Sequence, residues 1–322
     1  MGNTLEQIAD RLRRAKSVAI FSHMNPDGDA YGSALALARA LEFFGAKTQV
    51  CIESDLPRNL RFVDGVEKVT KTPTASYDLL VCVDCSDEQR LGALANEFFL
   101  AKRNKIDTVN IDHHVSNHGF CKYDYVRACA ANCMNVAVLI SYMGAPFDKK
   151  TADYLLLGLL TDSGNFSHDD VDEECFLLGA KLSKAGAEVC QYNYELFKKQ
   201  PKQRAKLFGK VMGGIRYAHD DRFAAIVISK QLMDECGADP TMTEGFVDFP
   251  LNVDTVEVAA SLMERKKGQW KISLRTKTYA DANKIAGVYG GGGHVRASGC
   301  MLFGDVEEVL DRLSYTVSQY LE

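Results

Sequence analysis

Four apolar stretches of this chain run directly into aspartate or histidine, and that repetition leaves few folds open to it. Ser17-Val18-Ala19-Ile20-Phe21 leads into Ser22-His23-Met24-Asn25-Pro26-Asp27-Gly28-Asp29, and Leu79-Leu80-Val81-Cys82-Val83 into Asp84. Val109-Asn110-Ile111 leads into Asp112-His113-His114, and the run from Leu155 to Thr161 into Asp162. Short apolar runs alternating with helical stretches point to an α/β layer with a mainly parallel sheet. In such a sheet the carboxyl ends of the strands share one edge, where α/β folds bind ligands. Pro26 and Gly28 exclude a regular element between them, so their loop is free to turn His23, Asp27 and Asp29 toward one point. The competing reading is a polar surface turn in which Asp29 caps the next helix.

The rest of the chain fits that frame. Thr4-Leu5-Glu6-Gln7 has capping-box spacing and opens a helix to about Arg14. Helical periodicity follows over Ala30–Phe44, Cys133–Met143, Lys149–Leu160 and Glu173–Ala185, with further strands over Lys47–Ile52, Asp78–Val83 and Ile106–Ile111. A chain of 322 residues is about twice a common domain, so two cores are expected. The expected division is an N-terminal domain over 1–190 with a mainly parallel sheet flanked by helices, a linker helix over 191–208, and a smaller α/β domain over 209–322. In the second domain Ile215–Ala218 and Phe223–Ile228 read as strands around a His219-Asp220-Asp221 turn. Val256–Glu264 and Gln269–Thr276 read as a hairpin around Lys267-Gly268.

A formal charge of -5 argues against a surface built to grip long nucleic acid, although a local basic patch is allowed. From Ser261 to Arg296 eight Lys or Arg stand against Glu264 and Asp281, which supplies such a patch. No stretch reaches the roughly 18 apolar residues a bilayer span needs, and the first 16 residues read as a charged amphipathic helix, so a cytoplasmic protein is expected. Glu6 stands where a myristoylation signal has Ser or Thr. The ten cysteines read as reduced, mostly buried thiols, and Cys82-x-x-Cys85 as part of a buried strand rather than a zinc site.

Gathering so many carboxylates at one sheet edge is costly unless cations neutralise them. Four aspartates with two or three histidines add up to two divalent metals. Mixed carboxylate and imidazole ligands without thiolate suit Mn²⁺, with Mg²⁺, Co²⁺ and Fe²⁺ as alternatives.

Together the four motifs resemble those of the DHH phosphoesterases, a family named for the triplet that is here Asp112-His113-His114. Gly290-Gly291-Gly292-Gly293-His294 with Ala297-Ser298-Gly299 resembles the signature of the first type of DHH-associated domain. The resemblance implies that His23, Asp27 and Asp84 hold one metal, and that Asp29, Asp84, His113 and Asp162 hold the second, with Asp84 as bridge. It leaves His114 free to address the reacting phosphate, and an imidazole titrating near about pH 6.5 can donate to a leaving oxygen. Asp112 is expected behind the histidines, orienting both. Arg275, Gly291, Gly292, Gly293, His294, Arg296 and Ser298 would bind substrate, the glycine N–H groups by cradling an anion. Where the family often carries Thr and Glu after the third motif, this chain has Cys133 and Asn135.

The expected activity is hydrolysis of phosphodiesters in short single-stranded RNA or DNA, linear dinucleotides such as pApA, or the 3'-phosphate of pAp. A RecJ-like single-strand exonuclease, a manganese pyrophosphatase and a non-catalytic nucleotide sensor are the rivals. The sequence leaves dimerisation open.

Overall fold

The computed structural model describes residues 4–321, and the chain divides into two compact units between Lys199 and Gln200. In the first, α1 (Leu5–Arg14), β1 (Ser17–Phe21), α2 (Gly28–Phe43), β2 (Lys47–Cys51), β3 (Leu79–Val83), α3 (Leu94–Arg103) and β4 (Asp107–Asp112) follow one another. Then come β5 (Tyr123–Val126), α4 (Asn132–Met143), α5 (Lys149–Asp162), α6 (Glu173–Lys184) and the short α7 (Val189–Asn193). Thr4 and Gln7 form the expected reciprocal cap on α1.

The five strands run parallel in the order β2-β1-β3-β4-β5. Alternate side chains serve opposite faces. Val18, Ile20, Val81, Val83, Val109 and Ile111 join the core built with α1, α2, α4 and α5. Ala19, Phe21, Leu80 and Cys82 instead meet Leu94, Phe98 and Ala101 of α3. Among the strands and longer helices of this unit, two go beyond the sequence reading. These are α3 and β5, and the latter is a half-buried edge strand with no apolar run to announce it.

This strand order reverses between β1 and β3, so the crevice beyond their carboxyl ends is where a ligand is expected. Helices α2 and α5 close on it through glycines. A Cβ on Gly32 would lie 3.0 Å from the Gly158 nitrogen, and one on Gly28 would overlap the Thr161 side chain. Removing those carbons lets the first turn of α2 meet the last turn of α5.

The second unit begins earlier than the sequence suggested. Helix α8 (Lys202–Met212) sends Leu207 and Val211 into a core with Ile226, Ile228, Met233 and Phe246, whereas Tyr192 of α7 packs into the first unit. The division thus falls inside the expected linker, where no residue from 193 to 206 is buried. After α8 come β6 (Arg216–Ala218), β7 (Phe223–Ile228), α9 (Lys230–Cys236), α10 (Asp248–Leu251), β8 (Val258–Lys266) and β9 (Gln269–Thr276). The chain ends with α11 (Ala282–Gly287), β10 (Gly292–Gly293), β11 (Ala297–Phe303) and α12 (Val306–Ser318). They build a mixed sheet ordered β10-β11-β9-β8-β7-β6, with β7 and β8 parallel. His219, Asp220 and Asp221 all take left-handed backbone angles in the expected turn, and β8 and β9 form the expected hairpin.

Candidate metal centre

Asp27, not Asp29, caps α2. Its Oδ1 accepts from the Asp29 and Ala30 N–H groups at 3.0 Å each, which leaves Oδ2 3.9 Å from His23 Nε2. Asp29 is carried inward on the first helical turn and is fully buried. There its Oδ1 accepts from the Cys133 N–H at 2.9 Å and the Ser33 hydroxyl at 3.0 Å, while Oδ2 accepts from the Asn132 N–H. Asp29 therefore sits at the amino end of α4, where the helix dipole favours negative charge.

Asp84 follows β3 in a left-handed conformation, with φ of 53°. Such a conformation is unfavourable for a residue with a Cβ and is kept only where the surroundings hold it. The Asp84 N–H is fixed by the Ile111 carbonyl at 3.0 Å. Its side chain is 3% exposed, with Oδ2 3.3 Å from His23 Nε2 and Oδ1 3.4 Å from His113 Nε2. His113 Nε2 in turn stands 3.4 Å from Asp162 Oδ2. Three groups are thereby close enough to share an ion: His23, Asp27 and Asp84; Asp29, His113 and Asp162; and Asp84, His113 and His114. Asp84 and His113 each belong to two of them.

The two histidines of the triplet are held differently, which corrects the expectation that Asp112 orients both. His113 Nδ1 lies 2.9 Å from the Cys129 carbonyl, to which it donates, so Nε2 is left bare toward the carboxylates. Asp112 holds only His114, through Oδ1 and Nδ1 at 2.8 Å, and takes the Asn117 amide on its other oxygen at 2.7 Å. Nor is His114 free, because its Nε2 is 3.0 Å from Arg90 Nη1. Asn135 Nδ2 donates to the Asp112 and Arg127 carbonyls at 2.9 Å, pinning the end of β4 to α4. Arg90, Cys129 and Asn132 carried no signal in the sequence, since each matters only through a partner distant in the chain.

Without cations the cluster is electrostatically frustrated. Burial raises the Asp29 carboxyl above its ordinary value, and the charge on Asp84 pushes it the same way. Burial, then Asp29, raise Asp162 likewise. Burial opposes charge at Asp84 too, yet the imidazoles of His113 and His23 hold it below the usual range. Burial would lower His113, but Asp84 and Asp29 outweigh it and raise the group. The buried Asp84 Oδ1 has no hydrogen-bond partner among the described residues. An orphaned buried carboxylate oxygen amid imidazole and carboxylate donors is what a divalent ion would satisfy, so these residues fit two such ions.

The fold and the matched sequence models agree on ancestry. Residues 17–159 match the DHH family N-terminal domain, and residues 222–322 match the DHHA1 domain. The chain belongs to the DHH family. A Thermus thermophilus protein named bifunctional oligoribonuclease and PAP phosphatase NrnA is 30% identical over 98% of this chain and 93% of its own length. The Bacillus subtilis protein of the same name is 22% identical over 89% of this chain and 90% of its own. Among solved structures, an exopolyphosphatase-related protein from Bacteroides fragilis shares the fold with a TM-score of 0.83 at 24% identity, covering 98% of this chain and 96% of the other. This DHH-family chain is thus a phosphoesterase by descent, and no helix of its described residues is long and apolar enough to cross a membrane.

The DHHA1 unit corrects several expectations about substrate binding. The glycine run is no linker and its N–H groups are not free. Gly291 N–H donates to the Ala286 carbonyl at 3.0 Å, Gly293 N–H to Asn283 Oδ1 at 2.9 Å, and His294 N–H to the Ala297 carbonyl at 2.8 Å. Glycine is required for packing: a Cβ on Gly293 would lie 2.6 Å from the Ala297 carbonyl oxygen, and one on Gly291 would overlap the Gly299 oxygen. Gly292 pairs with Gly299 in the same short ladder. Ser298 is buried and donates to the His294 carbonyl at 2.8 Å. Arg296 donates Nη1 to the Ala280 carbonyl at 3.0 Å and Nη2 to that of Thr278, bracing a loop rather than awaiting a ligand. Arg275, half-buried, has Nε 3.3 Å from Asp248 Oδ1. Only the His294 side chain, of this set, is both exposed and without a hydrogen-bond partner among the described residues.

Proposed function

We propose that this protein is a two-metal phosphoesterase that hydrolyses short oligonucleotides, linear dinucleotides such as pApA, and the 3'-phosphate of pAp, working in the cytoplasm with Mn²⁺. The observation that carries the reading is Asp84, buried between two ion-sized groups with one oxygen left unpaired. The names of the Thermus and Bacillus relatives, and coverage of nearly their whole length, support the substrate class.

His23, Asp27 and Asp84 would hold one ion, and Asp29, Asp84, His113 and Asp162 the other. Two bound cations supply neutralisation of the phosphoryl oxygens and activation of water. The protein's part is to keep the ligands fixed: Asp27 by capping α2, Asp29 by the amino end of α4, His113 by the Cys129 carbonyl. His114, with Nδ1–H donated to Asp112, presents Nε2 toward the reacting phosphate, where a proton taken up on that nitrogen can pass to a leaving oxygen. His294 is the best remaining residue of the second unit for meeting a nucleotide. The net charge of -5 suits a short substrate better than long DNA.

Purified protein with Mn²⁺ should cleave pApA and dephosphorylate pAp, while a long DNA strand, cyclic di-AMP and pyrophosphate turn over at least tenfold more slowly. Preference for the long strand would favour an exonuclease of the RecJ kind. Preference for pyrophosphate would overturn the diesterase reading.

A further inference from the structure

Arg90 is a cation placed inside an otherwise acidic centre without a counter-charge. Its backbone is tied down on both sides: the N–H donates to the Asp87 carboxylate at 3.1 Å, and the carbonyl accepts from the Met24 N–H at 2.8 Å. The segment therefore has a fixed place between the loops after β1 and β3. The guanidinium, by contrast, forms no ion pair with any carboxylate among the described residues, although Asp27, Asp29, Asp84, Asp112 and Asp162 crowd the same edge. Its side-chain partner among the described residues is the His114 ring.

That pairing defines a state. A guanidinium has five donors and no acceptor, so His114 Nε2 must accept from Nη1 and the ring proton must sit on Nδ1, donated to Asp112. The working nitrogen of the ring is thus occupied by a cation that an imidazole satisfies poorly. A phosphoryl group brings anionic oxygens whose geometry matches the guanidinium fork and whose charge-assisted bonds are roughly twice as strong. Such an oxygen arriving at the metals would outcompete the ring nitrogen.

We propose that Arg90 is a further catalytic residue, whose guanidinium grips the phosphoryl group under attack and, on turning to it, releases His114 Nε2 to face the leaving oxygen. No covalent step is added; the exchange replaces one hydrogen bond by a stronger one and couples substrate arrival to the availability of His114. The inference rests on the phosphoesterase reading of the site.

The test uses the full chain loaded with Mn²⁺ and two substrates that share only the scissile phosphodiester, pApA and bis(p-nitrophenyl) phosphate. Arg90→Gln is expected to lower kcat/KM on both by a similar factor, roughly ten- to a hundredfold for one lost charged contact. It should also weaken binding of inorganic phosphate measured by calorimetry, while melting temperature and the number of bound Mn²⁺ stay as in the wild type. Arg90→Lys should recover part of the loss, because a point charge lacks the fork. Rates within twofold of wild type on both substrates would overturn the proposal, as would a loss confined to pApA or a loss accompanied by missing Mn²⁺. If the wild type cleaves nothing in the panel, the functional reading has failed, and the phosphate calorimetry still decides whether Arg90 holds the anion.

Discussion

Gly158 lies directly against Asp29: a Cβ built on this glycine of α5 would overlap Asp29 Oδ1 and stand 2.8 Å from the Cys133 Cβ. The carboxylate that enters one ion-sized group is thus seated in a notch made by a missing side chain on another helix. Asp29 cannot retreat, because Asn132, Cys133 and Ser33 hold both of its oxygens.

Gly158→Ala should therefore damage the site more than the fold. Overpacking of this kind costs about 1 to 3 kcal/mol, and a ligand displaced by even about 1 Å can cost on the order of a hundredfold in rate. The expected outcome is a folded protein with a modestly lowered Tm, kcat/KM on pApA reduced about a hundredfold, and weakened binding of one Mn²⁺ by calorimetry. Wild-type kinetics in the variant would show that Asp29 has room to shift.

Asp84 and Asp27 should differ in what their loss removes. Asp84→Asn takes away the carboxylate shared by both groups, so metal stoichiometry should fall toward zero and activity with it. Asp27→Asn keeps a side chain that still caps α2, so it should hold its Tm and lose only one ion. Asp27→Ala loses the cap as well, for about 1 kcal/mol of additional destabilisation. Equal residual rates for Asp84→Asn and Asp27→Asn at saturating Mn²⁺ would refute the bridging assignment.

In the second unit, two neighbours should part company. His294→Ala removes an exposed ring and is expected to raise KM for pApA and pAp, with Tm unchanged and bis(p-nitrophenyl) phosphate hydrolysis within a few-fold of wild type. Arg296→Ala removes the brace on the Thr278 and Ala280 carbonyls and is expected to lower Tm. Thermal melts alongside kinetics on both substrates check the contrast.

The same loop gives a pH prediction. Glu257 is buried and accepts from the Thr278, Tyr279 and Ala280 N–H groups and the Thr278 hydroxyl at 2.7 to 2.9 Å. Burial alone would raise its carboxyl, but the Thr278 hydroxyl and these N–H groups hold it below the ordinary 4.5. A carboxyl depressed by folding adds stability above its unfolded value and loses that stability as pH falls through the folded one. Glu257→Gln should thus melt lower than wild type near pH 7, and the gap should close as pH drops below about 4.5. A gap that stays constant down to pH 3.5 would remove the charge from the explanation.

What the sequence determined by itself is what local periodicity and chain neighbours record. The strands Ser17–Phe21, Phe223–Ile228 and Gln269–Thr276 appear with the expected bounds, the cap at Thr4 and the hairpin at Gly268 are in place, and the acidic and histidine residues expected together do lie at one sheet edge. A run of apolar residues fixes a strand, and a parallel sheet then carries whatever follows each strand to a common edge. Tertiary structure alone decided the partners. The β2-β1-β3-β4-β5 order placed His23 beside Asp84, the backbone of Cys129 took His113, and Arg90 came to His114 across 24 residues of chain. It also used the glycine N–H groups and the Arg296 fork inside the second unit, where the sequence had suggested free anion donors. The reason is physical: burial pattern is written along the chain, whereas a hydrogen bond between distant residues exists only after packing has set their distance and left one of them no other partner.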